Sequence, residues 1–155
     1  MKIQIIGLGS PILKDDGVGI HIVNELMKED CPLSVKLTIG GTGGATLLDM
    51  IEPCESLIIV DAIQTGSHPG TIHELSLDDI ESTKPLHCGF VHGMDFFSSL
   101  HLQKEMLKNK PQQIIIFAVE VLDIHSFSET CSQQVQDAIP EVIKKIKLCW
   151  HNLCQ

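Results

Sequence analysis

The stretch KIQIIGLGSPILKDDGVG, from Lys2 to Gly19, decides the fold class. Its first half is a short apolar run ending in glycines, which is typical of a buried strand. From Asp15 onward the apolar residues recur at the spacing of a helix. That helix face consists of Val18, Ile22, Val23, Leu26 and Met27. Asp15 or Asp16 is expected to cap the helix, because a carboxylate accepts hydrogen bonds from the free N–H groups of a first turn.

Strand and helix patterns alternate along the rest of the chain. The predicted strands are SVKLTI (34–39), SLIIVDAI (56–63), the short TIHEL (71–75), interpreted as an antiparallel edge strand, and QQIIIFAVEV (112–121). The predicted helices are ATLLDMIE (45–52), HGMDFFSSLHLQKEM (92–106) and 131–148, with a loop around Lys84 and Pro85. This alternation predicts a three-layer α-β-α sandwich around a mostly parallel, twisted sheet of about five strands.

Length and charge limit what the protein can be. With 155 residues, the chain is expected to form a single domain spanning 1–155. Its formal net charge of -9 repels nucleic acid. The first apolar run is too short for a secretion signal or a membrane span, so we expect a cytoplasmic protein without a membrane partner. Six cysteines without a C-x-x-C pair are expected to be free or buried thiols.

The glycine-rich loop is similar to a nucleotide-binding loop, but several of its residues do not fit such a motif. A dinucleotide motif requires a third glycine where this chain has Ile12. Asp15 and Asp16 would repel a pyrophosphate. The chain also lacks the G-x-S-x-G turn of a nucleophilic serine. His87 and Cys88 are sequence neighbours, which point to opposite faces of an extended segment and so make a poor catalytic pair.

Two carboxylates and a histidine remain as candidates. Asp16 follows the first strand, Asp61 follows the apolar run LIIV, and the loop LHCGFVHGMD (86–95) supplies a histidine. The carboxyl ends of parallel strands meet at one edge of a sheet, where ligands bind. Oxygen and nitrogen donors suit a divalent first-row metal. For Asp16, helix capping remains an equal alternative. The chain's other loop histidines are expected to be solvated: His68, His73, His101, His125 and His151.

These residues resemble the hydrogenase maturation endopeptidases. GLGSPILKDDGVG is similar to the family's loop G-x-G-N-x-x-x-x-D-[D/E]-G-x-G, with Ser10 in place of asparagine. The matching shorter motifs are a GGT turn at Gly40, Gly41 and Thr42, the strand ending Val60-Asp61-Ala62, and a histidine before a helix at His92. The resemblance extends from Met1 to about Ile146 and implies a phosphorylase/hydrolase-like version of the predicted sandwich.

The resemblance also implies a function. Such a protein removes a C-terminal extension from the precursor of a nickel-iron hydrogenase large subunit after nickel insertion. Asp16, Asp61 and His92 would contact nickel that arrives with the precursor, and no organic cofactor is implied. The GGT turn would bind the substrate tail. His92 is preferred to His87 because a helix follows it directly, and a small processing enzyme is expected to be a monomer.

Two other functions stay open at this point. A non-catalytic checkpoint protein would use the same three residues to inspect nickel without cutting. A peptidase of related fold would act on another protein. The residue spacing does not decide whether a carboxylate or a water on the metal activates the attacking water.

Overall fold

A five-stranded sheet forms the centre of the molecule. The computed structural model describes residues 2–82, 89–92, 97–100 and 111–154. The strands are β1 (Ile3–Leu8), β2 (Val35–Gly41), β3 (Ser56–Ile63), β4 (Ile72–Ser76) and β5 (Gln113–Glu120). They lie in the order β2-β1-β3-β5-β4, and only β4 runs antiparallel to its neighbour. The predicted mostly parallel sheet with an antiparallel edge is therefore confirmed.

Helices connect the strands. The α-helices named here are α1 (Val18–Met27), α2 (Leu77–Ser82) and α3 (Gln133–Cys154), and 3-10 helices cover Lys14–Gly17 and Gly44–Met50. Residues 97–100 are also helical, within the predicted helix 92–106. The predicted loop at Lys84 and Pro85 lies outside the described residues. Within the described ranges, no helix has both the length and the apolar character needed to cross a bilayer.

Both faces of the sheet are buried, because alternate residues of a strand point to opposite sides. Ile58 and Val60 of β3 belong to the cluster that packs under α1 and α3. Leu57 and Ile59 belong to the opposite cluster, which includes Phe97. The chain therefore has the three layers that the alternating pattern predicts.

Close packing between β1 and α1 explains the glycines of the first loop. Gly9 has a φ of 125°, and a Cβ there would lie 1.9 Å from the carbonyl oxygen of Asp16. A Cβ on Gly19 would lie 2.4 Å from the carbonyl oxygen of Val60. Side chains larger than hydrogen would push the loop and the helix away from the sheet. The loop therefore turns sharply and keeps Asp16 against the strand ends.

Two details of α1 differ from the sequence-based expectation. The residue at its N-cap is Gly17, with no capping hydrogen bond from a side chain, so neither Asp15 nor Asp16 caps the helix. Both carboxylates are instead engaged by distant parts of the chain, which local sequence does not reveal. Met27 is 47% exposed rather than buried, because α1 ends there and leaves the sheet surface.

Candidate active site

Three chain segments meet at the carboxyl edge of the sheet. The loop after β1 is tied to the end of β2 by a hydrogen bond from the Gly9 N–H to the Gly41 carbonyl oxygen, at 2.9 Å. Gly7 of β1 is in register with Val60, one residue before Asp61 on β3. The GGT turn, Asp16 and Asp61 therefore lie along one edge, as the parallel sheet predicts.

Asp16 is nearly inaccessible to solvent, with an exposure of 1%. One carboxylate oxygen accepts a hydrogen bond from the Ser10 main-chain N–H at 3.0 Å. The other lies 2.6 Å from the Nε2 atom of His92. The contact from position 10 uses the main chain, which any non-proline residue supplies. Serine in place of the family's asparagine therefore leaves this contact intact.

Asp61 holds the segment that carries His92. Its carboxylate accepts hydrogen bonds from the Ala62 N–H at 2.8 Å and the His92 N–H at 3.3 Å. Two further main-chain bonds fasten this segment to β3, from Val91 N–H to the Ala62 carbonyl and from Gln64 N–H to the Gly89 carbonyl. β3 continues two residues beyond Asp61, so this carboxylate lies inside the strand and is fully buried.

The fold thus brings Asp16, Asp61 and His92 together. His87 and Cys88 lie outside the described residues. Within the described part of the chain, no group of three or more His, Cys, Asp or Glu side chains has the arrangement of a ready metal site. Direct side-chain contact joins Asp16 to His92, whereas the bond from His92 to Asp61 comes from its main chain. The metal role of these residues stays a prediction.

The GGT turn divides into a packed and an open part. A Cβ on Gly40 would approach side-chain atoms of Ile6 and Leu8 to 2.8 Å. Gly41 has a φ of 64°, and no atom lies within 4 Å of the position of a Cβ there. Thr42 is exposed. The main chain at 41–42 is therefore accessible from solvent, beside the aspartates.

The imidazole of His92 is expected to titrate above the 6.5 of an ordinary histidine. Burial opposes its charge, but the hydrogen bond to Asp16 and the charges of Asp16 and Asp61 together raise the pKa. The resulting contribution to stability is fully present below 6.5 and is lost as the pH rises through the folded-state pKa. An NMR titration of the metal-free protein measures this pKa, and Asp16→Asn should lower it. A His92 ring that titrates at or below 6.5 would contradict the geometry.

Asp15 has a different role from its neighbour. Its fully buried carboxylate accepts hydrogen bonds from the N–H groups of Leu122, Asp123 and Ser132, at 2.9, 3.0 and 2.5 Å. The Ser132 hydroxyl donates another at 2.8 Å. Asp15 therefore joins the first loop to the segment between β5 and α3. The two adjacent aspartates divide into one that holds the fold and one that contacts His92.

The buried carboxylate of Glu120 was not predicted from the sequence. Glu120, the last residue of β5, accepts hydrogen bonds from the Thr65 N–H, the Thr65 hydroxyl and the Gly66 N–H, at 2.7, 2.8 and 3.0 Å. His73 lies 3.2 Å from it and is not the solvated side chain that was expected. The sequence feature that could have indicated Glu120 is the one that indicated Asp61: an acidic residue in an otherwise apolar strand. Glu120 fixes the turn after β3, next to the segment that holds His92.

Similarity to known proteins extends over most of the chain. Residues 20–148 match the family model described as hydrogenase maturation protease. The hydrogenase expression/formation protein HupD of Thiocapsa roseopersicina is 26% identical over 144 residues, which cover 92% of this chain and 65% of that protein. HupD of Rhodobacter capsulatus is 22% identical over 94% of this chain and 71% of its own length. The match thus spans about two thirds of these relatives.

Solved structures show the same fold. The hydrogenase maturating endopeptidase HybD from E. coli superimposes with a TM-score of 0.82 and 22% identity, over 98% of this chain and 93% of its own. The [NiFe] hydrogenase maturation protease HybD from Thermococcus kodakarensis gives a TM-score of 0.78 at 21% identity, over 96% and 99% of the two chains. At such identity the superposition establishes architecture, and the family model adds the sequence evidence. This chain belongs to the hydrogenase maturation protease family.

Proposed function

We propose that this protein is an endopeptidase that removes the C-terminal extension of a nickel-iron hydrogenase large-subunit precursor after nickel insertion. The matched family and its solved structures are peptide hydrolases. The observation that carries the proposal is the contact between the buried Asp16 and the partly buried His92, 2.6 Å apart, with Asp61 bonded to the main chain of His92. In a protease of this family, such a pair at the open edge of the sheet is suited to proton transfer.

Nickel enters this proposal as part of the substrate. Two carboxylates and one imidazole form a sparse set of oxygen and nitrogen donors, which suits a divalent ion that another protein already holds. The contact between Asp16 and His92 leaves no room for an ion between those two atoms. An ion that reaches both side chains must therefore replace their hydrogen bond.

The chain's own residues then have separate tasks. While the hydrogen bond between Asp16 and His92 is intact, the Asp16 carboxylate accepts it from the Nε2–H group, so the other ring nitrogen, Nδ1, can accept a proton from an attacking water and return it to the leaving amine. Asp61 acts through the main chain of His92 and sets the position of its ring. The open main chain at Gly41 and Thr42 is placed to approach the extended tail of the precursor closely.

A cleavage assay with nickel-loaded and nickel-free precursor tests the proposal. Mass spectrometry detects the loss of the C-terminal peptide. We expect this loss from the nickel-loaded precursor and not from the nickel-free precursor. Asp61→Ala should slow cleavage by about 100-fold or more, because it removes the hydrogen bond that fixes the main chain of His92 and so misplaces the imidazole. Asp78→Ala, which removes an exposed carboxylate on α2, is the matched control and should retain the full rate.

Other outcomes of the same assay exclude the proposal. Equal cleavage of both precursor forms would remove nickel from the recognition step. Unimpaired cleavage by Asp61→Ala would remove Asp61 from the mechanism. Nickel-dependent binding with no loss of mass would identify the checkpoint protein instead.

A further inference from the structure

Large apolar side chains are exposed on two paired loops beside the candidate active site. Ile12 is 51% exposed, Leu122 55% and Phe127 84%. We call these three residues the loop-pair patch. Apolar residues gathered on the surface of a folded protein mark sites of interaction with other molecules more often than chance.

The loops that carry this patch are fastened to one another. The Ser128 N–H donates to the Ile12 carbonyl at 3.0 Å, and the Lys14 N–H donates to the Ser128 carbonyl at 2.9 Å. Asp15 binds the N–H groups of Leu122 and Asp123 from below. The apolar side chains therefore project from an ordered backbone, which lowers the entropy cost of binding a partner there.

Two opposite charges near the patch, those of Lys14 and Asp123, are paired with each other. The Lys14 ammonium lies 3.2 Å from the Asp123 carboxylate. That carboxylate also accepts hydrogen bonds from the His125 and Ser126 N–H groups and from the Ser126 hydroxyl, and these bonds hold its pKa well below the usual range. Because Lys14 and Asp123 compensate each other's charge, the exposed apolar side chains are the main feature of the loop pair, which favours an apolar partner surface over a polyion.

The position of the patch, on the loop that leads into Asp16, favours one kind of partner. Asp16 follows the first loop directly, and its N–H donates to the Leu13 carbonyl at 3.0 Å. A protein substrate whose cleaved bond lies at Asp16 must cover the adjoining surface. A second copy of this chain is a poorer occupant, since each copy carries a net charge of -9 and the two would repel.

We propose that the loop-pair patch binds an apolar surface of the precursor protein, next to the tail that is cleaved. The inference rests on the proposed function and deepens it. The patch contacts the folded part of the precursor, while the C-terminal tail of the precursor enters the site at Asp16. Binding through the patch contributes to the affinity for the whole precursor. It does not take part in the cleavage step, which other residues perform.

Kinetics with the full-length, nickel-loaded precursor test this assignment. Phe127→Ser should raise KM by about tenfold, and the double change Ile12→Ser with Phe127→Ser by more, because the buried apolar contact is lost. We expect kcat to stay within about twofold, since the contact contributes equally to the ground state and the transition state. Leu33→Ser is the matched control: Leu33 is 106% exposed but precedes β2, at the opposite edge of the sheet.

A binding readout separates this inference from the proposed function. Phe127→p-benzoylphenylalanine should form a photocrosslink with the purified precursor, whereas Leu33→p-benzoylphenylalanine should not. If the wild type never cleaves the precursor, the proposed function fails while the crosslink still tests docking. An unchanged KM in the double variant, or equal crosslinking from both positions, overturns the patch. Sedimentation is also compared between the wild type and Phe127→Ser. If the wild type is a dimer, Phe127→Ser is a monomer and KM is unchanged, the patch binds a second copy of this chain and the assignment to the precursor is wrong.

Discussion

Asp16→Asn is expected to slow precursor cleavage by about 100- to 10,000-fold, the usual contribution of a positioned acid–base group. The asparagine keeps the shape of the side chain and an oxygen to accept the Ser10 N–H, but it removes the negative charge beside His92. Thermal unfolding should stay within about 3 °C of the wild type, because the main-chain contact survives. Rates are measured by mass spectrometry of the released peptide.

The matched control for this change is Asp78→Asn, the same substitution at an exposed position on α2. It should leave the cleavage rate unchanged. A rate for Asp16→Asn within about threefold of the wild type would remove Asp16 from the reaction, given the size of effect that a general base produces.

Asp15→Ala is expected to destabilise the protein by about 3–5 kcal/mol, because it deprives several buried donors of their acceptor at once. The donors are the N–H groups of Leu122, Asp123 and Ser132 and the Ser132 hydroxyl. The segment before α3 would lose its attachment to the first loop. Urea unfolding followed by circular dichroism measures the change in the free energy of unfolding.

An exposed carboxylate serves as the control for this second change. Asp137 on α3 is exposed, and Asp137→Ala should alter the free energy of unfolding by less than about 0.5 kcal/mol. A loss below about 1 kcal/mol in Asp15→Ala would mean that water replaces the carboxylate, contrary to its complete burial. Together the two aspartate variants should separate catalysis from stability at adjacent positions.

Much of the fold was predictable because its signals are local. The runs SLIIVDAI and QQIIIFAVEV are apolar throughout because parallel strands are buried on both faces, and they correspond to β3 and β5. The alternating TIHEL correctly indicated the antiparallel edge strand β4. Helix termini were less predictable: Met27 fits the apolar spacing of α1, yet it lies where the helix leaves the sheet.

The candidate site was predictable only in part. Asp61 drew attention because a carboxylate within an apolar strand must find a partner. Its partner, the main-chain N–H of His92, lies thirty-one positions away and has no sequence signature. Glu120 also follows an apolar run, on β5, where it is in register with Ile63 and not with Asp61, but the turn that it binds cannot be located from the local sequence.

By itself, the sequence determined the order of strands and helices, the edge of the sheet where polar groups gather, and the family resemblance, since all three follow from spacing along the chain. The resemblance pointed to Asp16 as the site residue, but only the tertiary structure showed which groups Asp15 and Asp16 each contact. Both residues suited a helix cap, and neither is one. Asp15 instead binds donors more than a hundred positions away, while Asp16 contacts His92. Hydrogen-bond partners so distant are selected by the packing of the whole chain, which the local sequence around Asp15 and Asp16 does not reveal.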